Sequence, residues 1–167
     1  GHERLLDSLY AADFTNFSLN LVGDGELKAP LEKKVQQLGM QENVHFLGFL
    51  NKPQVEETIA HSDITALASS NEGFPMVLLE SANQKVPFIA TDVGDVALLV
   101  PDKSYGWCVP TDSIEALTMA LNEAYAEWEN HTLEAKGERL YQLASTQFSL
   151  DRFYSETVSL YEKLMRN

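Results

Sequence analysis

The chain has 167 residues, 44% of them apolar and 22% charged, with a formal net charge of -13 at neutral pH. That length suits one covered core rather than two full domains, and the ordinary composition excludes a disordered chain or membrane-spanning helices. The acidic balance excludes a nucleic-acid backbone as main partner, because phosphate binding draws on clustered Lys and Arg, and the lone Cys108 excludes an internal disulfide.

The first residues, His2-Glu3-Arg4-Leu5-Leu6, form a charged amphipathic segment without an apolar signal region, so a cytoplasmic location is expected. Helical spacing predicts a helix from His2 to Asp13, followed by an apolar strand from Phe17 to Val22. Helix and strand then alternate: helix Glu26 to Leu38, strand Val44 to Leu47, helix Gln54 to Ala60, strand Ile64 to Ala68, helix Pro75 to Gln84, strand Pro87 to Thr91, helix Asp95 to Val100, strand Gly106 to Val109. Connections of this length allow parallel pairing, so the expected fold class is α/β, a Rossmann-like parallel sheet with flanking helices. Three helices close the sequence, at Ser113 to Glu129, Leu133 to Ala144 and Leu150 to Met165. The first of these carries Ile114, Leu117, Leu121, Ala124, Tyr125 and Trp128 on one face, which must dock on the sheet layer. The domain is expected to run from residue 1 to residue 167.

The stretch richest in chemistry is Ser69-Ser70-Asn71-Glu72-Gly73-Phe74-Pro75-Met76-Val77-Leu78-Leu79-Glu80, which leaves a strand and opens a helix. Proline suits the first helical position, and the amides of Met76 and Val77 have no intrahelical partner there. Free amides and the helix dipole favour an anion such as a phosphate, and Gly73 lets the backbone approach it closely. Glu80 lies roughly 7 to 8 Å along the helix from Pro75, at about 1.5 Å of rise per residue. Two carboxylates set apart in this way suit an extended ligand with hydroxyls at both ends and an anion between them, as in a nucleoside diphosphate sugar. A helix start with one stabilising acid before it and one solvated acid on its surface explains the spacing equally well.

Glutamate, seven residues and a second glutamate, with Gly-Phe-Pro after the first, closely resembles glycosyltransferase family 4 and its GT-B relatives. Leu21-Val22-Gly23-Asp24-Gly25-Glu26, Val44-His45-Phe46-Leu47-Gly48, Val86 through Gly94 and Phe148-Ser149-Leu150 match the same family in order. The resemblance covers nearly the whole chain and implies the C-terminal half of a GT-B fold. It implies transfer of a sugar from a UDP- or GDP-linked donor to a glycan or lipid acceptor, with retention at the anomeric carbon and neither metal nor other cofactor. It assigns catalytic Glu72 to the donor sugar and Glu80 to the ribose hydroxyls. The backbone from Gly73 through Phe74, Pro75 and Met76 to Val77 falls to sugar and phosphate, Gly48 and Phe49 to the base, and Gly23 and Gly25 to the same edge. An acceptor domain outside this sequence is implied, with the helix from 150 to 165 crossing to it. So is a place at the inner face of the membrane, in bacterial cell-surface polysaccharide assembly.

Several positions depart from the family pattern. A first strand, and the Arg and Lys that hold the diphosphate, would lie before Gly1, and without those cations the helix start holds only part of the donor's charge. Lys85 stands where a helix-ending glycine is usual, at about 1 to 2 kcal/mol for a left-handed backbone. Asp95 replaces the second glycine of a pair, and Leu98 stands where an acid is common. His2, His61 and His131 lack partners at metal-ligand spacing, so no metal site is expected, and His45 is read as a structural residue at a strand end rather than a base. Ser69 and Ser70 either contact ligand or cap the turn. A noncatalytic sugar-nucleotide-binding module and a nucleotide-sugar epimerase are the competing readings.

Overall fold

In the computed structural model, which describes residues 1–165, each predicted helix and strand is present in the predicted order. Residues 166 and 167, the end of the expected domain, lie outside the described residues. The helices are α1 (His2–Tyr10), α2 (Lys28–Gln37), α3 (Lys52–Ala60), α4 (Met76–Asn83), α5 (Val96–Leu99), α6 (Ile114–Glu129), α7 (Leu133–Gln147) and α8 (Leu150–Met165). The strands are β1 (Leu19–Val22), β2 (Val44–Gly48), β3 (Thr65–Leu67), β4 (Phe88–Thr91) and β5 (Trp107–Val109).

All strand pairing is parallel, β1 with β2, and β4 between β3 and β5. The expected α/β class of parallel strands with flanking helices is present, and among the described residues the ladders fall into a group of two strands and a group of three. Side chains join what the ladders do not. Leu21 and Val44 of the first sheet share one apolar cluster with Ile89, Trp107 and Val109 of the second, roofed by α1, α2 and α6.

Strand β4 shows why the layers form. It is buried on both sides, so its run Phe-Ile-Ala-Thr has no polar face to give to solvent. Successive side chains alternate across a strand. Ile89 therefore joins the cluster beneath α1 and α6, while Phe88 and Ala90 join a second cluster with α4, α5 and α7. Helices thus cover the three-stranded sheet on both faces.

Local signals set the helix ends. Asn51 accepts from the Gln54 amide and Gln54 returns the bond to Asn51, a capping box that starts α3. Ser113 caps α6 through the Ala116 amide. Helix α7 brings in Lys136, a buried cation. Its ammonium meets Glu127 at 3.0 Å, bonds the Lys103 carbonyl and stands 3.8 Å from the centre of the Trp107 ring. Three partners offset the desolvation of that charge. Helix α8 buries none of its side chains, and Phe153, Leu160 and Leu164 are 70%, 58% and 63% exposed. No helix among the described residues is long and apolar enough to cross a membrane.

Lys85 holds φ at 60°, the left-handed backbone expected just past α4. Its ammonium pairs with Glu138 at 2.7 Å and lies 5.1 Å from the Tyr141 ring, contacts that are half-exposed and contribute little. The backbone therefore dominates. Lys85→Gly should be more stable than Lys85→Ala by about 1 kcal/mol in urea unfolding, because only glycine accepts this φ without strain. Equal midpoints for the two variants would show that the position is unstrained.

Candidate functional site

Strand β3 ends at Leu67, and the chain then crosses from Ala68 to Pro75 before α4 begins. The crossing is held by its carbonyl oxygens. Arg4 donates to the Ala68 carbonyl at 3.2 Å, the Thr91 hydroxyl donates to that of Ser69 at 2.6 Å, and the Asp95 amide donates to that of Gly73 at 3.3 Å. Leu67 offers Thr91 a second, longer contact at 3.3 Å. A buried hydroxyl must find an acceptor, and Thr91 is wholly buried. The loop is thereby tied to the end of β4.

Gly94 completes the support. Its φ is +52°, and a Cβ there would stand 1.7 Å from the Gly73 carbonyl oxygen and 2.8 Å from that of Glu72. Only glycine fits. On the loop itself the Ser69 hydroxyl donates to Glu72 Oε1 at 2.8 Å, and both side chains are half-buried.

Pro75 is the residue before the helix rather than its first residue, a one-position correction. Its ψ of 101° is extended, while its carbonyl accepts the first turn's bond from Leu78. The following amides, Met76 and Val77, have no intrahelical acceptor, because the chain before them is not helical. Phe74 turns inward onto the Phe148 ring, with centroids 5.3 Å apart. Glu80 follows one turn into α4, half-buried.

The remaining candidates stand at the other sheet. The Gly23 amide donates to the Gly48 carbonyl at 2.8 Å, joining the turns after β1 and β2, and Gly25 is held by Asp24 at 2.8 Å. Phe49 beside them is 83% exposed. The site residues therefore form two groups, Glu72 to Glu80 and Gly23 to Phe49, each at the carboxyl end of parallel strands. That is where open α/β sheets take ligands. A shallow groove between β2 and α3, lined by Asn20, Leu47, Gln54 and His61, contains none of the residues from Glu72 to Glu80.

Charge around the loop is mostly acidic. Arg4 is the cation bonded to it, and its guanidinium also meets Asp112 at 2.8 Å and Ser70 at 3.4 Å. Burial pushes the Cys108 thiol up to about 11, with the charge of Asp92 and a hydrogen bond to it adding to the effect. Among the described residues no three His, Cys, Asp or Glu side chains gather as a metal would require. Sequence reasoning gave Arg4 and Thr91 no role and left Ser69 open. The available signal was a threonine ending a wholly apolar run, which needs a partner once buried.

Residues 1–139 match the glycosyl transferases group 1 family. The chain belongs to that family. It is 34% identical over 125 residues to the amylovoran biosynthesis glycosyltransferase AmsD of Erwinia amylovora, covering 74% of this chain and 34% of AmsD. It superimposes with a TM-score of 0.81 on Anabaena Alr3699/HepE in complex with UDP and glucose, at 23% identity, covering 95% of this chain and 44% of that one. The C-terminal domain of the group 1 glycosyl transferase LpcC from Francisella tularensis gives 0.79 at 22% identity, covering 90% of this chain and 80% of that one. The fold is that of the C-terminal half of GT-B glycosyltransferases. The chain spans less than half the length of the curated relatives it matches.

Two consequences are measurable at this site. Gly94→Ala should lower stability by more than about 2 kcal/mol, through left-handed strain and collision with the Gly73 carbonyl, and a loss within about 0.5 kcal/mol in denaturant titration would show that the loop yields. Cys108 gives up its proton near pH 11 instead of 9.0, so at pH 8 its thiolate is about a hundredfold scarcer than in the unfolded chain. The stability associated with that neutral thiol is full below pH 9.0 and declines as pH rises toward 11. Disulfide-exchange labelling at pH 8 should be slower than in the denatured protein by about that factor or more.

Proposed function

We propose that this chain is the donor-binding part of a retaining glycosyltransferase of family 4, transferring a hexose from a UDP- or GDP-linked donor to a glycan or lipid acceptor. The observation that carries the reading is the loop from Ser69 to Met76. It carries a carboxylate and leads into the amides of a helix start, at the strand end where this fold takes ligands. HepE, on the same fold, is in complex with UDP and glucose, and AmsD serves the biosynthesis of amylovoran.

In this reading Glu72 accepts hydrogen bonds from hydroxyls of the donor sugar and holds its anomeric carbon beside the diphosphate. As the glycosidic bond breaks, negative charge grows on the departing phosphate. The amides of Gly73, Phe74, Met76 and Val77 and the α4 dipole face that charge and stabilise it more in the transition state than in the ground state. Glu80 accepts from the ribose hydroxyls, and the exposed Phe49, beside Gly48, offers a face to the base. Gly23 and Gly25 shape the opposite edge. Backbone amides take the role a metal ion fills elsewhere, so the reaction is assigned no cofactor. The acceptor belongs to the part of the protein outside this sequence, and α8, with its exposed apolar stripe, is assigned to the contact with that part. The setting proposed is the cytoplasm, at the inner face of the membrane.

Amide NMR with UDP and GDP tests the reading. One of them should shift residues from 72 to 80 together with those around Gly23 and Gly48. Glu80→Ala should weaken that nucleotide about 10- to 100-fold, the range for one hydrogen-bonded carboxylate. If neither nucleotide perturbs residues 72 to 80, even in a longer protein that carries the acceptor domain, the donor site is misassigned.

A further inference from the structure

We infer that Ser69 is a positioning residue for Glu72, holding one carboxylate oxygen so that the other faces the hydroxyls of a donor sugar; this rests on the donor-site reading above. A glutamate beside a ligand has three side-chain torsions to order, and a site that leaves them loose loses affinity to that ordering. Here the Ser69 hydroxyl donates to Glu72 Oε1 at 2.8 Å, three residues back along the same loop. A hydroxyl has one proton, and this one is committed to Glu72. Oε2 keeps its full accepting capacity.

The anchor for Ser69 is independent of the ligand. Its carbonyl receives the Thr91 hydroxyl at 2.6 Å, from a side chain wholly buried at the end of β4. The position of the Ser69 hydroxyl is therefore set by the sheet rather than by a flexible loop. Competition for the carboxylate is also removed. Arg4, the nearby cation, is engaged by Asp112 at 2.8 Å and reaches Ser70 rather than Glu72, so the two serines divide the loop between them. Ser70 faces the guanidinium and Ser69 faces the carboxylate.

The effect should be confined to the sugar end of the ligand. In the full-length enzyme, calorimetry would compare UDP-glucose with UDP, and GDP-mannose with GDP, using the pair that binds. Ser69→Ala is expected to weaken the nucleotide sugar about tenfold while the free nucleotide stays within about twofold, and Ser69→Thr should restore most of the loss. On a Glu72→Ala background, Ser69→Ala should add almost nothing, because its effect runs through that carboxylate. Where Ser69→Ala does not fold, Ser69→Cys, a poorer donor of similar size, is expected to show the same selective loss. Equal weakening of sugar and nucleotide, an unchanged nucleotide sugar, or a full extra loss on Glu72→Ala would overturn the assignment of Ser69. Glu72→Ala without any selective effect on the nucleotide sugar would instead overturn the donor-site reading itself.

Discussion

The buried hydroxyl of Thr91 is the constraint on which the site rests. Strand β4 lies between β3 and β5 with no side open to water, so its one polar side chain must be satisfied from within. It finds its acceptors in Leu67 and Ser69, the residues where β3 gives way to loop. The loop's departure point is thus set by its neighbour. The next residues along that neighbour, Gly94 and Asp95, return to touch Glu72 and Gly73. One short segment therefore holds the glutamate loop at both ends.

Support from the other side comes through α7. It packs on α4, and Gly137 lies so close to the carbonyl of Lys85 that a Cβ would stand 1.8 Å away. Lys136 beside it is fixed over Trp107, while Phe148 past its end receives Phe74. The helix that opens the site is thus held along its length and at the turn that follows. None of these contacts involves the half-buried Glu72.

Much of this was legible in the sequence because the two periodicities differ. Strands such as Phe88 to Thr91 read as short apolar runs and helices such as α6 as stripes, and both appeared where expected. The left-handed turn at Lys85 was legible through the family resemblance, which has a helix-ending glycine at this position. Division of the sheet was not, because periodicity identifies strands and says nothing of which edges pair. The anchor from Thr91 to Ser69 also escaped, for a related reason. Residues 22 apart meet only after β3 and β4 are in register, and register is a tertiary fact. At Pro75 the error was one residue, the ordinary uncertainty of a helix end.

Within each ladder the backbone hydrogen bonds fix register. Between the ladders Leu21 and Val44 meet Ile89, Trp107 and Val109 in one apolar cluster under α1, α2 and α6. The turns at Gly23 and Gly48 and the loop at Glu72 are therefore carried on one shared core, so a cavity opened in that cluster would disturb both groups at once.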